Sequence, residues 1–182
     1  MADFRLETER LVLRDWRAGD VDDFHRVCGD PAVMETLGPV MSREQTAKLI
    51  ADLQDRAARF GHTFWALERK DDGRVLGFTG LIRGNIPETE GELEIGWRLA
   101  ADCWGQGYAR EAAEASLEWA RANRPGEPVI AITAHTNTRS RALMERLGMT
   151  CRPERDFDHP KVPEGDPLRP HVLYAIDSGA HR

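Results

Sequence analysis

Residues 93–113 read LEIGWRLAADCWGQGYAREAA, and the fold follows from how this stretch changes period. In its first part Leu93, Ile95, Trp97 and Leu99 alternate with Glu94, Gly96 and Arg98, the two-residue period of a half-buried strand. Beyond it Ala109, Ala112, Ala113, Leu117 and Ala120 recur at helical intervals. Gly105 and Gly107 lie between the two patterns. A helix N-terminus preceded by glycines presents unpaired N–H groups and the positive end of the helix dipole, a combination that favours an anion and phosphate above all.

Of two familiar phosphate turns, one fails and the other stays a distant alternative. A P-loop needs Gly-Lys-Ser/Thr to reach a terminal phosphate and hold magnesium, and no such run follows Gly107. A dinucleotide fingerprint needs a third glycine for close helix-to-strand packing, where this chain has Arg110. It also belongs on a buried, continuously apolar strand, unlike the alternating one here. Arg110 carries information of its own. A cation in the first turn opposes the helix dipole unless an anion such as pyrophosphate compensates, although pairing with Glu111, Glu114 or solvent would serve as well.

Working outward, Pro125-Gly126 punctuates the chain before Val129, Ile130 and Ile132 resume a strand, so strand, helix and strand form a parallel crossover. A helix from about Asn137 carries Leu143, Met144 and Leu147 and ends at Gly148, with Met149 onward returning to the sheet. Five prolines between Pro153 and Pro170 exclude sustained regular structure, and Val172–Ile176 offers a last strand. Upstream, Leu11 and Leu13 alternate with Arg10, Val12 and Arg14 in a strand, and Gly19-Asp20 opens a short helix through Phe24 and Val27. Ser42 and Gln45 form a capping box for a helix that ends near Phe60-Gly61. Phe64–Glu68 and Val75–Leu81 flank Asp71-Asp72-Gly73 as an antiparallel hairpin. The expected fold class is α/β (α+β): one domain over residues 1–182, with a mixed, largely antiparallel sheet and one parallel crossover.

Composition narrows the function. With 182 residues, 41% hydrophobic and 31% charged, the chain supports one ordinary core, and no apolar run approaches the roughly 18 residues of a membrane span. The N-terminus shows no signal-peptide pattern, which leads to the expectation of a cytoplasmic protein without membrane attachment. A net charge of −6 argues against a nucleic-acid partner. Cys28, Cys103 and Cys151 are scattered and form no C-x-x-C pair, so neither disulfides nor a metal site is expected.

Three segments, ETERLVLRDWRAGDVDDF, LEIGWRLAADCWGQGYAREAA and TNTRSRALMERLGM, together resemble the GNAT superfamily of acyl-CoA-dependent N-acetyltransferases, in the branch that holds the ribosomal-protein N-terminal acetyltransferases. The resemblance runs from about residue 6 to 176. It implies helices on both faces of a sheet whose central strands splay. Acetyl-CoA would be the co-substrate, and no metal is called for. Trp104, Gly107 and Ala109 occupy the places of the family's pyrophosphate-binding signature, with Trp104 where Gln or Arg is more usual. The resemblance thus assigns the pyrophosphate to the turn of Gln106, Gly107, Tyr108, Ala109 and Arg110. It assigns the pantetheine arm to a bulged strand containing Ile95 and Trp97, where a strand-edge N–H would polarise the thioester carbonyl. Asn137 matches an asparagine near the pantetheine, and an N-cap role suits it equally. Met144 stands where many members carry a tyrosine that protonates the departing thiolate; in this branch a serine three residues after the asparagine serves, here Ser140.

Acyl transfer needs a neutral amine, so a proton must be removed. Glu94, on the opposite strand face from Leu93 and Ile95, is the candidate base, directly or through water, with Glu92 as the runner-up on the same face. Either carboxylate could instead face solvent or pair with Arg98. His159 and His171, in and after the proline-punctuated loop, are candidates for the acceptor pocket and a proton relay. Cys103 has no neighbouring His or Asp to activate it, which favours direct transfer in a ternary complex over an acyl-cysteine. The expected partner is a primary amine, either a protein N-terminus or a small molecule, for a monomer or homodimer. A non-catalytic acyl-CoA sensor of the same fold is the alternative.

Overall fold

The computed structural model describes residues 4–177. In chain order its elements are β1 (Arg5–Glu7), β2 (Leu11–Arg14), α1 (Val21–Cys28), α2 (Pro31–Met34), α3 (Arg43–Phe60), β3 (Phe64–Arg69) and β4 (Val75–Arg83). There follow β5 (Leu93–Leu99), α4 (Tyr108–Asn123), β6 (Val129–Ala134), α5 (Thr138–Arg146), β7 (Thr150–Cys151), β8 (Phe157–Asp158) and β9 (Pro170–Ile176).

Local chemistry sets several boundaries. The Ser42 hydroxyl accepts from the Gln45 N–H while the Gln45 side chain accepts from the Ser42 N–H, and Gly61, at φ 74°, stops α3. Gly73, at φ 69°, closes the turn between β3 and β4. The Asn137 side chain caps α5 by accepting from the Ser140 N–H at 3.2 Å.

All strands join one sheet in the order β1-β2-β3-β4-β5-β6-β9-β7, with β8 also on β9. Every pairing is antiparallel except β5 with β6. Helices cover both faces, and β3 shows the alternation directly. Phe64 stacks on Phe78, which meets Phe24 of α1 at 5.8 Å, whereas the next residue, Trp65, meets Trp119 of α4 at 5.3 Å. α1 and α3 therefore lie on one face and α4 on the other.

Two expectations need correction. The alternation along β2 suggests one buried face, yet both are buried and Arg14 is enclosed. It is satisfied by Asp20 through two hydrogen bonds of 2.8 and 2.9 Å and by Glu68 at 2.7 Å. The expected bulge in β5 is also absent, for its register with β4 runs unbroken from Leu93–Arg83 to Leu99–Gly77. The irregularity in this part of the sheet lies between β3 and β4, where Leu76 of β4 is the extra residue opposite Leu67 and Glu68.

Candidate active site

β5 and β6 pair over only two rows, Leu93 with Val129 and Glu94 with Ile130. β5 then follows β4 along its whole length while β6 follows β9, so sheet twist carries the two strands apart. The resulting cleft, of about 1120 Å³, is walled by β5 from Glu94 to Leu99, the glycine turn, the end of β6, the start of α5 and the segment around α2. Beyond Glu94 the β5 backbone has no strand partner on this side among the described residues.

At the far end of β5 the glycine turn delivers α4. Gly105 and Gly107 sit at φ 72° and 83°, a left-handed conformation that costs any side-chain-bearing residue but is free to glycine. Among the described residues no side chain caps α4, so its first-turn N–H groups stay available. A brace from the turn between β1 and β2 holds the glycine turn from behind. Glu111 accepts from Thr8 Oγ1 at 2.6 Å, from the Arg10 backbone N–H at 2.8 Å and from Arg10 Nε at 2.7 Å. Arg10 Nη1 donates to the Gln106 carbonyl, and its guanidinium lies 4.4 Å from the Tyr108 ring centre. Gly105 and Ala109 face the cleft, whereas Gln106 bonds to the Asp102 carbonyl, Tyr108 is buried, and Arg110 points outward to Glu114 at 2.7 Å. Trp104 donates its indole N–H to the Leu99 carbonyl and carries the Arg139 guanidinium on its face at 4.1 Å. That stack links the turn to the first turn of α5 across the cleft.

Glu94 stands at the apex, where the strands part. It has no hydrogen bond or ion pair to another described residue, and burial raises its carboxyl to about 7 despite the opposing fields of Arg56 and Lys161. Glu92 is otherwise engaged, in a two-pronged pair with Arg155 at 2.5 and 3.0 Å. That contact neutralises it and holds it away from the cleft walls.

Ile95 and Trp97 contribute to the cleft wall. So do Asn137 and Ser140, in different ways. Both ends of the Asn137 carboxamide are engaged, its oxygen accepting from Ser140 N–H and its nitrogen donating to Thr133 Oγ1 at 3.0 Å. The Ser140 hydroxyl has no partner among the described residues. Met144 forms part of the wall beside it. His159 and His171 pack on each other, ring centres 4.7 Å apart, beneath Phe157 and outside the cleft walls. Burial lowers both below the usual histidine value. Among the described residues no three His, Cys, Asp or Glu side chains gather as a metal-holding group.

The family model described as the acetyltransferase (GNAT) domain matches residues 10–150, which takes in the glycine turn, the splayed strands and all of α5. The chain belongs to this family. Among relatives, an uncharacterized Bacillus subtilis (strain 168) protein, YkkB, is 31% identical over 146 residues, covering 80% of this chain and 84% of YkkB. Among solved structures, the acetyltransferase from Agrobacterium tumefaciens str. C58 superposes with a TM-score of 0.78 at 26% identity, over 97% of this chain and 95% of that one. The RimL ribosomal L7/L12 alpha-N-protein acetyltransferase, solved in complex with coenzyme A, shares the fold with a TM-score of 0.75 at 19% identity, over 96% and 98% of the two chains. The protein is thus an acetyltransferase enzyme with a single GNAT-like domain.

Several residues of this GNAT cleft escape a reading of the sequence. Phe64 and Phe78 line it from β3 and β4, and Arg98 does so from the same face of β5 as Glu94. Arg98 was legible in the period-two pattern but stood there only as a partner for the glutamates. The aromatic pair comes from strands adjacent in space, and no local signal marks it.

Proposed function

We propose that the protein transfers acetyl from acetyl-CoA to a primary amine by direct attack in a ternary complex. The observation that carries the reading is convergence in one cleft: an uncapped helix N-terminus, a strand edge without a partner and an unpaired carboxyl at the apex. The pyrophosphate fits the N–H groups of the turn from Gly107 to Arg110, the pantetheine takes the open edge of β5 along Ile95 and Trp97, and the thioester reaches toward Glu94. Arg110 then serves through its backbone, since its side chain is paired with Glu114.

The acceptor nitrogen forms a bond to the thioester carbon while the carbonyl electrons move onto oxygen, where a strand N–H stabilises them. Glu94 takes the proton from nitrogen, directly or through water. Collapse breaks the C–S bond, and the Ser140 hydroxyl donates a hydrogen bond to the departing thiolate. Asn137 positions Ser140 by capping α5. His159 and His171 are kept as contributors to the acceptor entrance only, through the loop that brings Lys161 near Glu94.

The likeness to the ribosomal-protein branch makes a protein N-terminus one acceptor class, and small amines are the other. The deciding experiment measures free-thiol release from acetyl-CoA against peptides with varied N-termini, free amino acids, polyamines and aminoglycosides. Release with one class establishes the reaction and names the acceptor. Silence with all of them, while acetyl-CoA still raises the melting temperature, would overturn transfer in favour of an acyl-CoA sensor.

A further inference from the structure

Arg98 is half-buried and differs from the arginines held by carboxylates. Arg14, Arg74, Arg83 and Arg155 each meet a carboxylate, from Asp20, Asp102, Glu127 and Glu92 respectively. Arg98 meets none among the described residues. Its Nε is buried without a hydrogen-bond partner, and Nη1 touches only sulfur, Cys28 Sγ at 3.3 Å and Met41 Sδ at 3.6 Å. Burial pushes the Cys28 thiol up, so it stays uncharged and offers no counter-charge. Glu35, on the rim of the same cleft, forms no ion pair with it. A guanidinium nitrogen buried without a hydrogen-bond partner is costly, and Arg98 lines the cleft.

The surroundings say which ligand. Glu94, Gly96 and Arg98 share one face of β5, the face toward α1, whereas the α4 turn opens on the other side of the sheet. Arg98 is therefore turned away from the phosphate end of the cleft. Gly96 leaves room for the Phe64 ring, since a Cβ there would stand only 2.7 Å from Phe64 Cζ. Phe64 stacks on Phe78 at 4.7 Å, and the Arg98 guanidinium lies 5.4 Å from the Phe78 ring centre. A carboxyl, two stacked rings and a free guanidinium thus follow one another along the strand. At ~3.3 Å per residue the Cα atoms of Glu94 and Arg98 are ~13 Å apart.

We propose that Arg98 binds an anionic group of the acceptor, so that the substrate is an amine carrying a carboxylate several bonds away, with the intervening chain lying on Phe64 and Phe78. The proposal rests on the cleft being the acyl-transfer site. Side chains standing side by side off the strand keep the two groups apart, which disfavours an α-amino acid, whose amine and carboxylate share one carbon. The same separation suits an ω-amino acid, or a peptide whose free N-terminus precedes an acidic side chain. A planar guanidinium takes a carboxylate through two parallel hydrogen bonds, which rewards this geometry.

The test titrates matched pairs against apo and CoA-loaded protein by calorimetry: ε-aminocaproate with n-hexylamine and with norleucine, and Ser-Glu-Ala amide with Ser-Gln-Ala amide. We expect ε-aminocaproate or the acidic peptide to bind at least ~10-fold more tightly than its neutral match, the factor for one charged hydrogen-bonded contact. Whichever pair shows the larger ratio identifies the source of the carboxylate. In R98M the ratio should fall to about one, with the CoA-induced rise in melting temperature retained as the sign of an intact fold. Equal affinities within both wild-type pairs, norleucine matching ε-aminocaproate, or a ratio that survives R98M would each overturn the proposal. So would a loss of CoA affinity in R98M in place of a loss of acceptor preference. The wild-type ratios need neither turnover nor the variant. A clear ratio without thiol release would leave Arg98 as the anion site while removing the transfer reading.

Discussion

Glu94 is a carboxyl whose environment opposes its own ionisation. Its pKa, raised to about 7 by burial, places proton uptake in the neutral range, where a base for ammonium acceptors is useful. We expect acceptor-dependent kcat/KM to rise through about pH 7 in the wild type and to lose that inflection in Glu94→Gln, with a loss of ~100-fold; a loss below ~3-fold would remove Glu94 as the base. The same shift bears on stability. A carboxyl whose folded value lies above its unfolded one costs the fold nothing while both are protonated, and the cost develops as pH rises from about 4.5 to about 7. Glu94→Gln should therefore melt higher than the wild type at pH 8 and no higher at pH 4.5. Ser140 and Asn137 separate the cap from the chemistry. Ser140→Ala should slow turnover ~10-fold with an unchanged melting temperature, since its hydroxyl bonds to no described residue. Asn137→Ala should cost ~1 kcal/mol in denaturant unfolding by uncapping α5. At this scale the period-two pattern of residues 93–99 exposed Glu94, but it could not show that Glu92 would be taken by Arg155, 63 positions away.

The elements differ in how openly their sequence declares them. α3 announces itself by Ser42, Gln45 and Gly61, and the β3–β4 hairpin by Asp71-Asp72-Gly73, because caps and turns are local chemistry. β2 shows itself as a strand through Leu11 and Leu13, but its burial on both faces does not, since that depends on Asp20 and Glu68 reaching Arg14 from other elements. We expect Asp20→Ala to cost ~3–5 kcal/mol by urea unfolding, as it strands an enclosed guanidinium. β1, α2 and β8, of two to four residues, are too short to show a period at all. The α4 turn was the most legible feature of the site, and it makes a sharp demand. Gly107→Val forces a β-branched residue to φ 83°, so the variant should lose ~1–3 kcal/mol and bind CoA more weakly by equilibrium dialysis. The brace by Arg10 and Glu111 lay hidden because its two residues are 101 positions apart.

Across the whole molecule, the sheet consists of two halves, β1–β5 and β6–β9, joined by two rows of parallel pairing. The sequence declared the parallel crossover through the order strand, helix, strand. The splay was implied by family resemblance alone, since where a ladder stops depends on how both neighbours twist. A ligand that bridges the halves should stabilise both. At one hundred times its Kd, acetyl-CoA should add ~2.7 kcal/mol, a rise of about 5–10 °C in melting temperature by scanning calorimetry. No rise at saturating concentration would count against the cleft as its site.

The Arg139–Trp104 stack gives that cleft an optical consequence. A cation held on the indole face makes Trp104 an emitter that senses anything parting the two side chains. Entry of a molecule between the turn and α5 becomes visible as a change in fluorescence, without label or turnover. The rate of that change would time the arrival of the donor separately from the chemistry that follows.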